Sequence, residues 1–276
     1  MGIFGRIDTF ITWFDGVVWG LPLIILILVT GIFLTVRLGL LQVRYLGKAL
    51  KFMVKNEEDG HGEVTSFGAL CTALSATIGT GNIVGVATAI SAGGPGALFW
   101  MILTAFLGMA TKYSEGLLAV KYRTIDEDGH VLGGPFYYIE NGMGVKFRWL
   151  AKIFAFFGAG VGLFGIGTFT QVNGISSAVR NFFDPNMAHT VALFGNDYSW
   201  ATVISCLVLT VCVGMVVLGG IKRIAKVSEI VVPFMAVLYV VLAVIIMVTN
   251  ITAIPAAIVT IVKSAFTGSA LAGGAM

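Results

Sequence analysis

The chain has 276 residues, of which 57% are hydrophobic and only 11% are charged. Soluble domains carry about 25% charged residues, so this composition excludes an ordinary soluble domain and indicates a membrane protein. The formal net charge of +3 is too small to indicate binding to nucleic acid. Three cysteines, Cys71, Cys206 and Cys212, lie in apolar segments without CxxC spacing, and we predict that they are buried packing residues.

Stretches of about 20 mostly apolar residues predict membrane-spanning helices. Six such stretches and the start of a seventh follow one another along the chain: 17–36, 67–92, 97–118, 153–171 or slightly beyond, 198–218, 230–248, and a segment that begins near Ile251 or Ser264. All basic residues except Arg6, Arg180 and Lys263 fall around the loops after spans one, three and five. The positive-inside rule therefore places these loops in the cytoplasm and the N-terminus outside.

The second span is interrupted at its centre by Gly79-Thr80-Gly81-Asn82. Lipid offers no partner for the backbone N–H and C=O groups that such a break frees, so irregular backbone at membrane depth is tolerated only where protein encloses a cavity. The half-helix ends at a break present N–H groups and carbonyls to a small charged solute. The interruption therefore predicts a binding site, although a glycine-rich patch for helix packing would have the same composition.

The seventh span contains a second glycine-rich interruption, SAFTGSALAGGAM, five spans later and in the opposite orientation. Two such segments predict an inverted five-helix repeat. We therefore expect residues 1–66 to form a peripheral N-terminal helix and a cytoplasmic loop, 67–249 the first repeat with its broken helix at 75–92, and 250–276 the start of the second. We expect the second repeat to be truncated at Met276, which would leave residues 79–82 and those after Ser264 exposed.

Span four contains FGAGVGLFGIG, in which the glycines predict a helix surface for close packing. A polar cluster follows it and includes Gln171 and Asn173, where exposure to lipid would be costly. The preceding loop, LGGPFYYIENGMG, has the aromatic and Gly/Pro-rich composition of an interfacial or re-entrant segment.

The two ends of the broken helix favour different charges. N–H groups at the start of the second half-helix favour a carboxylate, whereas carbonyls at the end of the first favour an ammonium group or a monovalent cation. An amino acid carries both charges on one carbon and so matches both ends. Span two and the core of span four contain no Asp, Glu or His for a proton relay, which favours sodium over protons as the coupling ion, although a missing half could supply a carboxylate.

The stretch GALCTALSATIGTGNIVGVATAISAGGPGALFWM resembles the signature of the alanine/glycine:cation symporter family, the sodium:alanine symporters. LGGPFYYIENG, GIGTFTQVNGISSA and AFTGSALAGG resemble three further blocks of that family in the same order. The resemblance covers nearly the whole chain, although family members are substantially longer. It implies a LeuT-type fold with ten core helices in two inverted repeats and one extra N-terminal helix. It also implies sodium-driven uptake of alanine or glycine across a bacterial or archaeal inner membrane.

The resemblance also implies roles for individual residues. Those that would bind the substrate are Thr80, Gly81, Asn82, Gln171 and Asn173, with Phe266, Thr267 and Ser269 as the opposing break of the second repeat. Asn82 and the carbonyls of Ser75 and Ile78 would contribute to the sodium site. The expected partners are thus a small neutral amino acid, sodium and lipid, with no cofactor beyond the coupling ion.

Two other classes of function remain at this point. A channel-like or scaffold membrane protein could use the same breaks for passive conduction or packing. A membrane enzyme is disfavoured, because the sequence contains no Ser/His/Asp or Cys/His arrangement that suggests catalysis.

Overall fold

The computed structural model describes residues 3–54, 64–165, 167–193 and 195–267. Within these ranges the chain is almost entirely helical. The helices are α1 (Ile3–Val18), α2 (Leu21–Arg37), α3 (Leu41–Arg44), α4 (Leu46–Val54), α5 (Ser66–Thr77), α6 (Val84–Gly93), α7 (Gly96–Lys121), α8 (Pro135–Met143), α9 (Arg148–Phe164), α10 (Thr168–Phe183), α11 (Trp200–Val217), α12 (Gly220–Thr249) and α13 (Ile254–Ser264).

Five segments of the described chain are long and apolar enough to cross a membrane. They are Gly5–Arg37, Gly96–Lys121, Val145–Phe183, Trp200–Val217 and Gly220–Thr249. Shorter apolar helices occupy the predicted second and seventh spans. The prediction of an all-α, multi-pass membrane protein is confirmed by these helices.

Two short antiparallel hairpins interrupt the helical pattern. They pair β1 (Thr124–Ile125) with β2 (Val131–Leu132), and β3 (Thr190–Leu193) with β4 (Asn196–Ser199). The sequence analysis did not predict them, because each is only two to four residues long and lies in a loop between spans.

The second span is broken as predicted. Helix α5 starts at the N-cap Thr65, whose hydroxyl accepts a hydrogen bond from the Gly68 N–H, and it ends at Thr77. The chain is extended at Ile78 and Gly79, makes one 3₁₀ turn at Thr80–Asn82, and resumes as α6.

The fourth span differs from the prediction in two ways. It extends to Phe183 and is broken into α9 and α10, with Gly165 (φ +60°) and Gly167 (φ +89°) in the left-handed region that favours glycine. The predicted packing surface on α9 is also not observed. A Cβ at Gly158, Gly160 or Gly162 would meet no described atom within 4 Å, because α9 packs mainly on α8.

The most extensive helix–helix packing is that of α5 on α12, followed by α2 on α7 and then by α10 on α11 and α8 on α9. Small or β-branched residues recur every three or four positions along α12, where Ala225, Ser228 and Val232 are buried. This spacing places them on one stripe of the helix. The same stripe continues to Ala236 and Tyr239, so α12 extends from its contact with α5 to the wall of the site described below.

Helix α13 packs on the start of α7. The Trp100 Nε1–H donates to the Ala265 carbonyl at 2.6 Å, and Gly96 lies so close to Ser264 that a side chain at position 96 would overlap its backbone. Trp100 and Phe99 also contact the Phe266 ring, with centroids 6.2 and 5.8 Å away. The described end of the seventh span is therefore fixed by aromatic packing on α7.

Candidate substrate site at the broken helix

A cavity of about 560 Å³ lies beside the break in the second span. Three parts of the chain form it: the break itself, the first turns of α10, and the middle of α12. Its lining consists of Ile78, Gly79, Thr80, Asn82, Ile83, Gln171, Ile175, Met235, Ala236, Tyr239 and Val240. Mostly apolar walls with a few converging polar groups are typical of small-molecule sites, and the volume lies in their usual range.

Two side-chain amides hold the backbone of the break. The Gln171 Oε1 accepts a hydrogen bond from the Thr80 N–H at 2.9 Å, across 91 residues of sequence. The Asn82 Oδ1 accepts from the Gly79 N–H, also at 2.9 Å. Backbone donors freed by a break need partners at membrane depth, and these amides supply two of them.

Glycines at two positions allow the break and α10 to approach closely. A Cβ at Gly79 would collide with the Gln171 carboxamide, and a Cβ at Gly174 would lie 2.5 Å from the Thr80 methyl group. Gly79 itself is extended, at φ −151°, so its lack of a side chain matters here more than its backbone freedom. A glycine at each position therefore lets Thr80 and Gln171 meet.

Gln171 reaches the break because α10 starts where it does. Its N–H donates to the Gly167 carbonyl, so Gln171 lies in the first turn of α10, directly after the left-handed glycines. The predicted polar cluster after span four is thus divided. Gln171 and Ile175 line the cavity, whereas Asn173 is exposed and is not among the lining residues. About 200° of helical rotation separates Gln171 from Asn173, which explains the difference.

The wall formed by α12 was not predicted. Met235, Ala236 and Tyr239 line the cavity, and Tyr239 contributes the only hydroxyl among the lining residues besides that of Thr80. The sequence did contain one signal for this wall, which is a tyrosine at the centre of the otherwise aliphatic stretch MAVLYVVLAV.

Of the three residues predicted for the cation site, two lie at the cavity and one does not. Ile78 and Asn82 line the cavity, whereas Ser75 is exposed and its hydroxyl donates to the Thr72 carbonyl at 2.7 Å. Ile78 has left the helical conformation, with ψ at 112°, so its carbonyl no longer follows the hydrogen-bonding direction of α5. Within the described residues there is no cluster of three or more His, Cys, Asp or Glu that could hold a metal ion.

The residues predicted to form the opposing break, in the seventh span, do not line this cavity in the described structure. Phe266 and Thr267 are exposed and are not among the residues that line the cavity, and Ser269 lies outside the described residues. We expected both interruptions to be exposed. Gly81 and Asn82 are exposed, but Gly79 and Thr80 are half-buried against α10, and Ala265 is 0% exposed because it packs on α7.

None of the residues that line the cavity carries a charge at neutral pH. Its polar groups are two amides, two hydroxyls and the backbone of the break. A ligand with a net charge would lose its hydration without gaining a counter-charge from these residues, so the cavity favours a ligand that is neutral overall.

Comparison with known proteins agrees with the interpretation of this chain as part of a transporter. The sequence model of the sodium:alanine symporter family matches residues 5–276. A sodium/alanine symporter of Methanococcus maripaludis is 48% identical over 261 residues, which cover 92% of this chain and 53% of that protein. An uncharacterized transporter of Haemophilus influenzae is 52% identical over 270 residues, covering 98% of this chain and 56% of the relative. A probable sodium/glutamine symporter of Bacillus subtilis is 36% identical over 264 residues, covering 95% and 51%.

The chain spans about half the length of the curated relatives that it matches. Its match to the family model nevertheless extends over nearly all of its residues, and this family consists of transporters, not enzymes. The resemblance found in the sequence motifs is thereby confirmed. The chain belongs to the sodium:alanine symporter family.

Proposed function

We propose that this chain contributes the substrate site of a sodium-coupled symporter for a small neutral amino acid, alanine or glycine, that works by alternating access. The observation that carries the proposal is the break at Thr80–Asn82, held against Gln171 beside a cavity lined by uncharged residues. The relative from Methanococcus is named a sodium/alanine symporter, which agrees with sodium coupling and amino-acid transport.

The substrate carboxylate is expected at the start of the second half-helix, near the positive end of α6. The ammonium group then lies towards the freed carbonyl of Ile78 and the Asn82 amide. The proposed substrate residues are Thr80, Gly81, Asn82, Gln171, Asn173, Phe266, Thr267 and Ser269, and the proposed cation ligands are Ser75, Ile78 and Asn82. Gln171, Asn82 and Thr80 have the strongest structural support, because they line one cavity.

The proposal includes a LeuT-like arrangement with an extra N-terminal helix. Residues 67–249 correspond to one five-helix repeat, 1–66 to the peripheral helix and its loop, and 250–276 to the start of an inverted repeat. The N-terminus lies outside the plasma (inner) membrane, in keeping with the distribution of basic residues. In such folds one bundle moves against the other around a shared central site.

The alternative is a channel-like or scaffold protein, or a carrier of another small zwitterion. The family includes a relative named as a probable glutamine symporter, so the side chain of the substrate varies among its members. A symporter and a channel differ in saturability and in their dependence on sodium.

The test is uptake of radiolabelled alanine by the full-length natural protein in proteoliposomes, with an inward gradient of sodium or, as the control, of potassium. We expect saturable uptake that requires sodium and that excess unlabelled glycine inhibits. Uptake that rises linearly with alanine concentration and does not depend on sodium would favour the channel. Inhibition by glutamine but not by glycine would assign another zwitterion.

A further inference from the structure

A carboxylate on α12 contacts the N-terminal end of the broken span, far from the break. The Glu229 Oε1 accepts a hydrogen bond from the Thr65 hydroxyl at 2.8 Å, and the same hydroxyl accepts from the Gly68 N–H at 2.9 Å. The Thr65 side chain therefore links the first turn of α5 to α12. Glu229 directly precedes the predicted sixth span, so its sequence position gives no sign of this contact.

Gly68 makes this contact possible. A Cβ at Gly68 would lie 2.5 Å from the Glu229 Oε1, so a side chain there would push the carboxylate away. A carboxylate next to the first turn of a helix also stabilises the positive end of the helix dipole. Glu229 thus satisfies a hydroxyl and complements the N-terminus of α5 at the same point.

The same two helices line the cavity further along, α5 at its C-terminal end and α12 in its middle. From Thr65 the chain runs along α5 to Ile78 and the break, and from Glu229 it runs along α12 to Met235 and Tyr239. The helices are therefore parallel, joined by Glu229 near the start of α5 and lining the cavity further along. The 12 residues of α5 extend about 18 Å, so a displacement of its first turn tilts the helix that carries the break.

We propose that Glu229 is a positioning residue for the substrate site. Through the hydrogen bond from Thr65, its carboxylate anchors the first half of the broken helix on α12 and so fixes the break against Gln171 and the α12 wall. This inference deepens the proposed function and rests on it, because it concerns the same cavity.

The chain contains its own reporter for this contact. Cys71 lies one turn after Gly68 on α5 and is only 1% exposed. Of the other two cysteines, Cys206 is half-buried and Cys212 is exposed, contrary to the prediction that all three are buried. With Cys206→Ser and Cys212→Ser, and serine at any cysteine outside residues 1–276, Cys71 becomes the single thiol.

The experiment measures how fast a membrane-permeant maleimide labels Cys71 in that background, in the full-length protein. Loss of a hydrogen bond to a charged group predicts labelling about tenfold faster in Glu229→Ala. Glu229→Gln keeps an acceptor oxygen and loses the negative charge, which acts on the α5 dipole and on the Cys71 thiol, so its rate should stay within about threefold of the parent. Thr65→Val removes the donor to Glu229 and also the N-cap acceptor of the Gly68 N–H, so Cys71 should be labelled at least as fast as in Glu229→Ala.

Glu140→Ala is the matched control, because it removes a carboxylate from an exposed ion pair with Arg148 at 3.1 Å, away from α5. It should leave the labelling rate unchanged. The half-saturating alanine concentration should rise in Glu229→Ala and Thr65→Val and return towards the parent value in Glu229→Gln.

The inference is overturned if Glu229→Ala and Thr65→Val label at the parent rate, or if Glu229→Gln labels as fast as Glu229→Ala. Failure of the proposed function has a different signature, which is absence of sodium-dependent alanine binding in the parent protein itself. Labelling of Cys71 does not depend on the identity of the substrate, so the two failures are distinguishable.

Discussion

The described structure contains glycine-rich breaks in spans two and four, which have similar sequences but different structural roles. The first lies at Gly79–Asn82 and the second at Gly165 and Gly167. At the first, the Gly79 N–H and the Thr80 N–H bond to side-chain amides of Asn82 and Gln171. At the second, Gly165 and Gly167 adopt positive φ, and their backbone hydrogen bonds among the described residues are local, such as that from the Thr168 N–H to the Gly165 carbonyl. The first break is thus held by tertiary contacts, and the second by local geometry.

This difference shows what a glycine motif can and cannot indicate. Glycine at position 79 is required by a neighbouring side chain, whereas glycine at position 165 is required by the backbone. The second break nevertheless serves the first, because it starts α10 one turn before Gln171. A binding site is indicated by the polar groups that converge on a break, and not by the break alone.

The largest effect on the site is expected from Gly79→Ala. The new methyl group displaces the Gln171 carboxamide, which leaves both that amide and the Thr80 N–H without their partner, at a cost of about 1–3 kcal/mol. Alanine affinity should fall about a hundredfold. Gly85→Ala on α6 is the control, since a Cβ there meets no described atom within 4 Å. Equal effects of the two substitutions would contradict the proposed close approach.

Gln171→Leu tests the same contact between Thr80 and Gln171 by removing the acceptor. It leaves the Thr80 N–H without its acceptor, at a cost of about 1–3 kcal/mol, so affinity should fall about thirtyfold. Gln42→Leu is the matched control, because Gln42 is a buried glutamine that bonds to Thr35 and to the Phe106 carbonyl. It should lower thermal stability without changing the affinity of the folded protein. A normal binding isotherm for Gln171→Leu would limit that residue to helix packing.

Asn82→Ala should reduce substrate affinity or sodium coupling without preventing membrane insertion. The amide caps the Gly79 N–H, and we propose that it also contacts the ligands. Loss of a hydrogen bond to a charged group costs about 1.5–3 kcal/mol, so affinity should fall about tenfold. The measurement is uptake at limiting sodium, with Asn141→Ala on α8, where the amide donates to the Tyr122 carbonyl, as the control. Unchanged kinetics would remove Asn82 from the site.

Gly165→Ala should affect stability more than binding. A residue with a Cβ at φ +60° costs about 1–2 kcal/mol, so the thermal midpoint should drop. Alanine affinity should change by less than about threefold if neighbouring residues absorb the strain. Gly158→Ala, within helix α9, should instead be neutral or slightly stabilising. A large loss of affinity in Gly165→Ala would show that the second break controls the position of Gln171 tightly.

The smallest effect on the site is expected from pH at the far end of α10. A hydrogen bond from the Ser199 hydroxyl at 2.6 Å, aided by the Ala188 N–H, holds the pKa of Asp184 below its usual value of 3.8. A lowered folded-state pKa means that this stabilisation is present above the unfolded value and is lost as the pH falls through the folded value.

Acidification below about pH 4 should therefore loosen the β3–β4 hairpin. Hydrogen exchange at Ala188 measures this loosening, with Ser199→Ala as the variant that shifts its midpoint upwards towards the ordinary Asp value. The contacts of Gln171 at the opposite end of α10 should keep their protection. Simultaneous loss of protection at both ends would show that α10 responds as one unit.

Much of the fold follows from the sequence. Composition and span length predicted a helical, multi-pass membrane protein, and the glycines at 79 and 81 predicted where the second span breaks. These features are local, because lipid requires every backbone group of a span to find a partner within the protein. The sequence motifs also identified the family, whose model matches residues 5–276.

The partners of the break were decided only by the tertiary structure. Sequence could place Gln171 and Asn173 in one polar cluster, but only the register of α10 turns the first towards Thr80. The α12 wall lies far along the chain from the break, and the Glu229–Thr65 contact joins residues 164 positions apart in sequence. Such contacts depend on how helices cross and rotate, which apolar periodicity does not specify when nearly every face of a span is hydrophobic.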